Sequence, residues 1–121
     1  MTKPKNPKTI AGTVAAIRKI LEDRQRWTKG AYRITVGTNV KFCLVGAARF
    51  VDGPFEKQAI EVIHDALPDR WKNRNTLGAN QKESLIIDFN DSSSRRHPQI
   101  LDLLARAQEI AKAKDKENKK K

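Results

Sequence analysis

Phe42-Cys43-Leu44-Val45-Gly46-Ala47-Ala48 is the most apolar run of the chain and carries its only cysteine. From residue 42 or 43 to Val51 only Arg49 is clearly polar, so the stretch reads as a short, mostly buried helix. Gly46 and Ala47 leave room for a neighbouring backbone or ring to come close. Small residues at a buried position make sense only if something packs on them. Two aromatic clusters are placed to do so, Trp27-Thr28-Lys29-Gly30 upstream and Phe89-Asn90-Asp91 downstream. The expectation is one core in which Trp27, Cys43, Gly46 and Phe89 meet.

Working outward, Thr9 can cap a helix that runs to about Arg26, with Ile10, Val14, Ile17 and Leu21 on one face. Gly12 weakens the first turn, so Thr13 is an alternative start. Gly30 suits a helix exit or turn. Tyr32, Ile34 and Val36 then alternate with Arg33 and Thr35, Gly37-Thr38-Asn39 turns, and Val40-Lys41-Phe42 returns as a second strand. A lone hairpin is marginal in water, so it is expected to lie against the helices. After the Asp52-Gly53-Pro54 turn, a helix from Phe55 to Leu67 is stopped by Pro68. Residues 69–83 are polar, with Trp71 and Leu77 as isolated anchors, and read as a mobile or binding loop. Leu85 to Phe89 is too short to assign to a strand or a helical turn. Pro98 stands near the first turn of a last helix that carries Ile100, Leu101, Leu103, Leu104, Ala107, Ile110 and Ala111, then frays from Lys112. The fold class is mainly α with a small β element (α+β): about four helices around the short central helix, with one hairpin.

A chain of 121 residues is one domain by the usual size relation, here residues 9–111 between a disordered basic tail at 1–8 and a Lys-rich tail at 112–121. One cysteine excludes an internal disulfide and any zinc site built from paired cysteines, and fits a reducing cytoplasm. No apolar run is long enough to cross a bilayer, and no hydrophobic signal segment follows the start, so the expectation is a soluble cytoplasmic protein with no membrane partner. The net charge is +11, but residues 10–109 hold only +4 of it. Most of the excess lies in the tails, where lysines keep a protein soluble or screen phosphates.

Three sets of residues could carry chemistry. Cys43 in the first turn of its helix could be a nucleophile, with Asp91 and His64 or His97 as partners; the competing expectation is a buried thiol that behaves as a small hydrophobe. Asp88, Asn90 and Asp91 offer oxygen ligands to a cation, or side-chain acceptors that cap the last helix, which is the preferred reading. Neither histidine has a metal partner at helical spacing, and no metal or cofactor is expected. Two basic clusters, Arg70-Trp71-Lys72 with Arg74, and Arg95-Arg96 beside three serines, suit phosphate contact, the first with an aromatic ring inside it. There is no P-loop, dinucleotide glycine fingerprint or serine elbow.

The ordered set Trp27-x-x-Gly30, Cys43-x-x-Gly46-Ala47, Phe89-Asn90-Asp91 and Leu101-x-x-Leu104-x-x-Ala107 resembles a family of small uncharacterised proteins of bacteria and their phages, a domain of unknown function. The resemblance covers roughly residues 13 to 111. It implies a bacterial or phage setting and a shared core, and no activity, cofactor or catalytic residue. The leading expectation is a non-enzymatic binding or accessory protein whose partner is nucleic acid or a host protein complex, a host-defence complex included. The alternative is a small-molecule enzyme built on Cys43. The sequence sets no oligomeric state.

Overall fold

The computed structural model describes residues 7–72 and 79–119. Most of the expected tail at 1–8, the 73–78 stretch that holds Arg74 and Leu77, and residues 120–121 lie outside the described residues. In chain order the elements are α1 (Ile10–Glu22), a 3-10 turn (Arg24–Arg26), β1 (Arg33–Val36), β2 (Asn39–Phe42), α2 (Leu44–Val51), α3 (Glu56–Ala66), a second 3-10 turn (Asp69–Trp71), α4 (Ala79–Asp91) and α5 (His97–Lys119).

Thr9 caps α1 as its sequence implies, its Oγ1 accepting from Gly12 N at 2.9 Å, and the helix begins at Ile10 rather than Thr13. The two N–H groups ahead of Gly12 are met from the other end of the chain. Ile10 N and Ala11 N donate to Oδ1 and Oδ2 of Asp115 at 3.0 and 2.9 Å. A carboxylate here satisfies two donors that a helix start leaves unmatched and faces the positive end of its dipole. The same contact explains why α5 does not fray from Lys112 but continues to Lys119. Asp115 has a fixed partner beyond the apolar run, and α1 and α5 pack along each other.

At the centre, Leu44, Val45, Gly46, Ala47, Ala48 and Val51 of α2 are buried, with α1, α3 and α4 packed around them. Gly46 is required by a backbone. A Cβ at this position would sit on the carbonyl oxygen of Tyr32 and 2.6 Å from its carbonyl carbon. That same oxygen accepts from Cys43 N at 3.2 Å, so the approach is held in place. Cys43 and Phe89 are buried and Trp27 packs against the core, so the expected gathering around Gly46 is present.

The hairpin departs from expectation in how it is held. β1 and β2 pair antiparallel, with Arg33 opposite Phe42 and Val36 opposite Asn39. Tyr32 and Val36, two apolar members of the alternation, are exposed, and only the Phe42 end is buried. The ribbon projects and is fixed at its base: Thr28 N donates to Phe42 O at 2.9 Å, and the Arg49 guanidinium lies 4.4 Å from the Tyr32 ring centroid.

Residues 69–83 are not a single loop, since α4 already starts at Ala79. The Leu85 to Phe89 run belongs to that helix, and only Ile86, Phe89 and Asn90 of its last turns are fully buried. Asn90 is the polar node of the core. Its Oδ1 accepts from Trp27 Nε1 at 2.8 Å and Leu44 N at 3.2 Å, while Nδ2 donates to Thr28 O at 3.0 Å and Asp91 Oδ1 at 2.8 Å. The Asn90–Asp91 pair therefore does not cap α5, as the sequence suggested. It fastens the end of α4 to the Trp27 segment and to the start of α2.

Two substitutions measure these constraints. Gly46→Ala should cost about 2 kcal/mol by forcing the Tyr32 backbone away, and Gly46→Leu more, read as a lowered urea midpoint. Asn90→Ala should cost about 3 kcal/mol, because buried donors on Trp27 and Leu44 lose their acceptor. An unchanged midpoint for either variant would contradict this packing.

Candidate functional site

The link from α4 to α5 turns at Ser92, whose carbonyl accepts from Arg95 N at 2.9 Å. The turn drives Arg95 inward, and it is only 7% exposed. Its Nε donates to Phe89 O at 2.8 Å, and its guanidinium lies 3.5 Å from the Phe89 ring centroid and 5.2 Å from that of Trp71. Among the described residues no carboxylate pairs with it, and Nη2 has no hydrogen-bond partner. Burial, and then the charge of Arg70, hold its pKa below the ordinary value.

Two clefts meet at Arg95. The first, of about 500 Å³, is lined by Arg24, Lys29, Arg95 and Arg96 with Trp27, His97 and Pro98, and among the described residues by no carboxylate. The Trp27 indole is set by Asn90, and Lys29 Nζ, which donates to Ser92 O at 2.8 Å, lies 5.6 Å from its ring centroid. His97 is half-buried. Its Nε2 sits 2.6 Å from Leu21 O, which pins the start of α5 to the end of α1. Gln99 Oε1 accepts from Arg96 N at 2.8 Å and closes the first turn of α5.

The second cleft, of about 400 Å³, lies between Arg70, Trp71, Phe89 and Arg95 and the α5 residues Gln99, Asp102 and Arg106, with Pro68 at its edge. Here the two basic clusters of the sequence come together, with Arg70 5.9 Å from the Trp71 ring centroid. Lys72 does not join them. Its Nζ donates to Asp65 O at 2.7 Å and lies 3.8 Å from Asp69 Oδ1, an α3 exit contact. Arg74 is outside the described residues. Arg24, Lys29 and Arg106 were missed by sequence reasoning. Arg24 and Lys29 flank Trp27 much as Arg70 and Lys72 flank Trp71, and that echo was the available signal; Arg106 had none.

The alternative nucleophile set is not assembled. Cys43 and Asp91 line one hollow of about 260 Å³ with Gly30, Ala31, Tyr32 and Ile87, and neither histidine is part of it. Cys43 is 2% exposed and serves as the cap of α2, Sγ accepting from Gly46 N at 3.3 Å. Burial pushes the thiol up and Asp91 adds to it, while the Gly46 and Val45 N–H groups act against them. Asp91 thus opposes a thiolate, and its Oδ1 is already engaged by Gly30 N at 3.0 Å and by Asn90 Nδ2. His64 is buried on α3, and neither ring nitrogen has a hydrogen-bond partner among the described residues. Burial lowers its pKa from 6.5, against the pull of Asp65, whose carboxylate is 3.6 Å from Nδ1. Asp88 is exposed, and no group of three potential metal ligands exists among the described residues.

A family model matches residues 5–110 and so takes in all four sequence motifs. The chain belongs to DUF6197, a family of unknown function. No curated protein matches it, and no solved structure does. Membership of DUF6197 assigns no activity. No helix among the described residues is long and apolar enough to cross a membrane.

The thiol geometry makes a direct prediction. Cys43 should label slowly with a thiol reagent in the native protein at neutral pH and rapidly once denaturant is added, because the sulfur is covered and its ionisation disfavoured. Cys43→Ala should cost about 1 kcal/mol through the missing cap. Fast labelling of the folded protein would revive the nucleophile.

Proposed function

We propose that this chain is a non-enzymatic nucleic-acid-binding protein whose contact surface is the basic face centred on Arg95. One observation carries the reading: cationic side chains from two distant segments, Arg24 and Lys29 before the hairpin and Arg95 and Arg96 before α5, line one cleft with no carboxylate among its described residues. Like charges gathered on one surface repel, and a polyanion relieves that repulsion while releasing its own counterions. Trp27 and Trp71 are half-buried at the two clefts, beside the cations, as in surfaces that track single strands. Arg70 extends the face past Arg95. A bacterial or phage accessory role follows from the sequence resemblance. The Cys43 enzyme has less support, since its thiol caps a helix and neither histidine lines its hollow.

The test is fluorescence polarisation with labelled single- and double-stranded DNA of unrelated sequences, across a salt series. Arg24→Glu with Arg96→Glu should weaken binding to every sequence by about tenfold or more, and flatten the salt slope by about 0.7–0.9 for each phosphate no longer neutralised. Lys57→Glu, exposed on α3 and outside both clefts, should leave the slope unchanged. No binding at low salt would remove nucleic acid, and the basic face would then be tested against a host protein complex by pull-down.

A further inference from the structure

Two residues that line the second cleft each carry a buried donor with no acceptor among the described residues, Trp71 Nε1 and Arg95 Nη2. Buried polar groups are almost always paired, because an unmade hydrogen bond carries the full cost of desolvation. One such group in a core could be incidental strain. Two donors, on two residues that line one cleft of about 400 Å³, point to an acceptor-rich ligand.

The surroundings narrow its chemistry. Arg70, Arg95 and Arg106 face a single carboxylate, Asp102, which leaves the lining with a net charge of +2. Arg95 is preorganised: Nε is tied to Phe89 O at 2.8 Å and the guanidinium face rests on the Phe89 ring. Stacking accounts for that face but not for the edge that carries Nη2. A fixed guanidinium edge with a neighbouring N–H donor suits tetrahedral oxygens, and a phosphate monoester brings a charge of about −1.5 to −2 at neutral pH.

We propose that this cleft binds a phosphate monoester group, with Arg95 Nη2 and Trp71 Nε1 donating to its oxygens and Arg70 and Arg106 balancing its charge. Arg70, exposed and 5.9 Å from the Trp71 ring centroid, is placed to turn from the ring onto the ligand. The site shares Arg95 with the first cleft, but Trp71, Arg70 and Arg106 line only the second, so it does not depend on a strand binding in the first.

The two tryptophans give two indole N–H resonances in a ¹⁵N-labelled protein, assigned with Trp71→Phe. Inorganic phosphate, titrated at constant ionic strength against chloride, should move the Trp71 resonance saturably. The Trp27 resonance, its N–H held by Asn90 at 2.8 Å, should remain sharp and dispersed throughout and show that the fold is intact. Arg106→Ala should weaken the phosphate response by about tenfold, as expected for one charge-assisted interaction. A Trp71 resonance that ignores phosphate, or follows chloride equally, overturns the proposal even if DNA binds elsewhere on the protein. A 5′-phosphorylated oligonucleotide acting at lower concentration than its 5′-hydroxyl twin would assign the group to a strand end. Equal twins with free phosphate still active would assign it to a small phosphate compound.

Discussion

A single carboxamide holds three parts of this protein together. Asn90 is fully buried, and both of its polar atoms are engaged, by Trp27, Leu44, Thr28 and Asp91. A buried amide in that condition is a strong and specific tie; half satisfied, it would weaken the core. Neither obvious replacement serves: aspartate has no donor for Thr28 O, and leucine would leave the Trp27 and Leu44 N–H groups stranded. The tie aligns Trp27 with the end of α4, where Lys29 reaches Ser92 O and Gly30 N reaches Asp91. Both walls of the first basic cleft are therefore positioned from one side chain, and the turn that buries Arg95 starts beside it.

Local chemistry was legible in the sequence and long-range chemistry was not. Thr9 announced the start of α1, and the small residues of the Cys43 run announced a close approach, because both signals act within a few residues. α4 was hidden because its buried face is narrow: Ile86, Phe89 and Asn90 are covered while Asp88 is exposed, too little periodicity to separate a helical turn from a strand. Asn90 was read as a local cap because asparagine usually bonds nearby backbone, yet its partners on Trp27 and Thr28 lie 63 and 62 residues away. Asp115, among lysines, looked like part of a solvated tail, and its bonds to Ile10 and Ala11 span the length of the domain. Arg70, Trp71, Arg95 and Arg96 stood out in the sequence as two basic clusters. The meeting of Arg70 and Arg95 around the Trp71 indole could not be seen before α4 had been laid between them.

The distribution of charge also changes once the chain is folded. Counted along the sequence, the C-terminal lysines carry much of the excess; in the fold, Lys112 lies 3.5 Å from Glu109, and Lys114 lies 3.5 Å from Asp65. Such exposed pairs add little stability, but they temper the positive field of that end. Around Arg95 the opposite holds, with arginines gathered from distant segments and one aspartate among them. Net charge alone therefore does not mark the Arg95 clefts. Where cations lack acids nearby is the more informative quantity.

The Asp115 carboxylate, bound to the first turn of α1, brings residues 10 and 115 into contact. The two ends of the domain are neighbours, so they can be joined by a short peptide linker and the chain opened elsewhere without breaking a helix. The tip of the projecting hairpin, Gly37-Thr38, is the natural place to open it, being exposed on both residues and outside the core. A circularly permuted form cut there would keep both basic clefts whole and turn the carboxylate clasp from a contact between distant ends into one between sequence neighbours. Closing that clasp would then cost little chain entropy, and the order in which the helices assemble would change while the surface they present stayed the same.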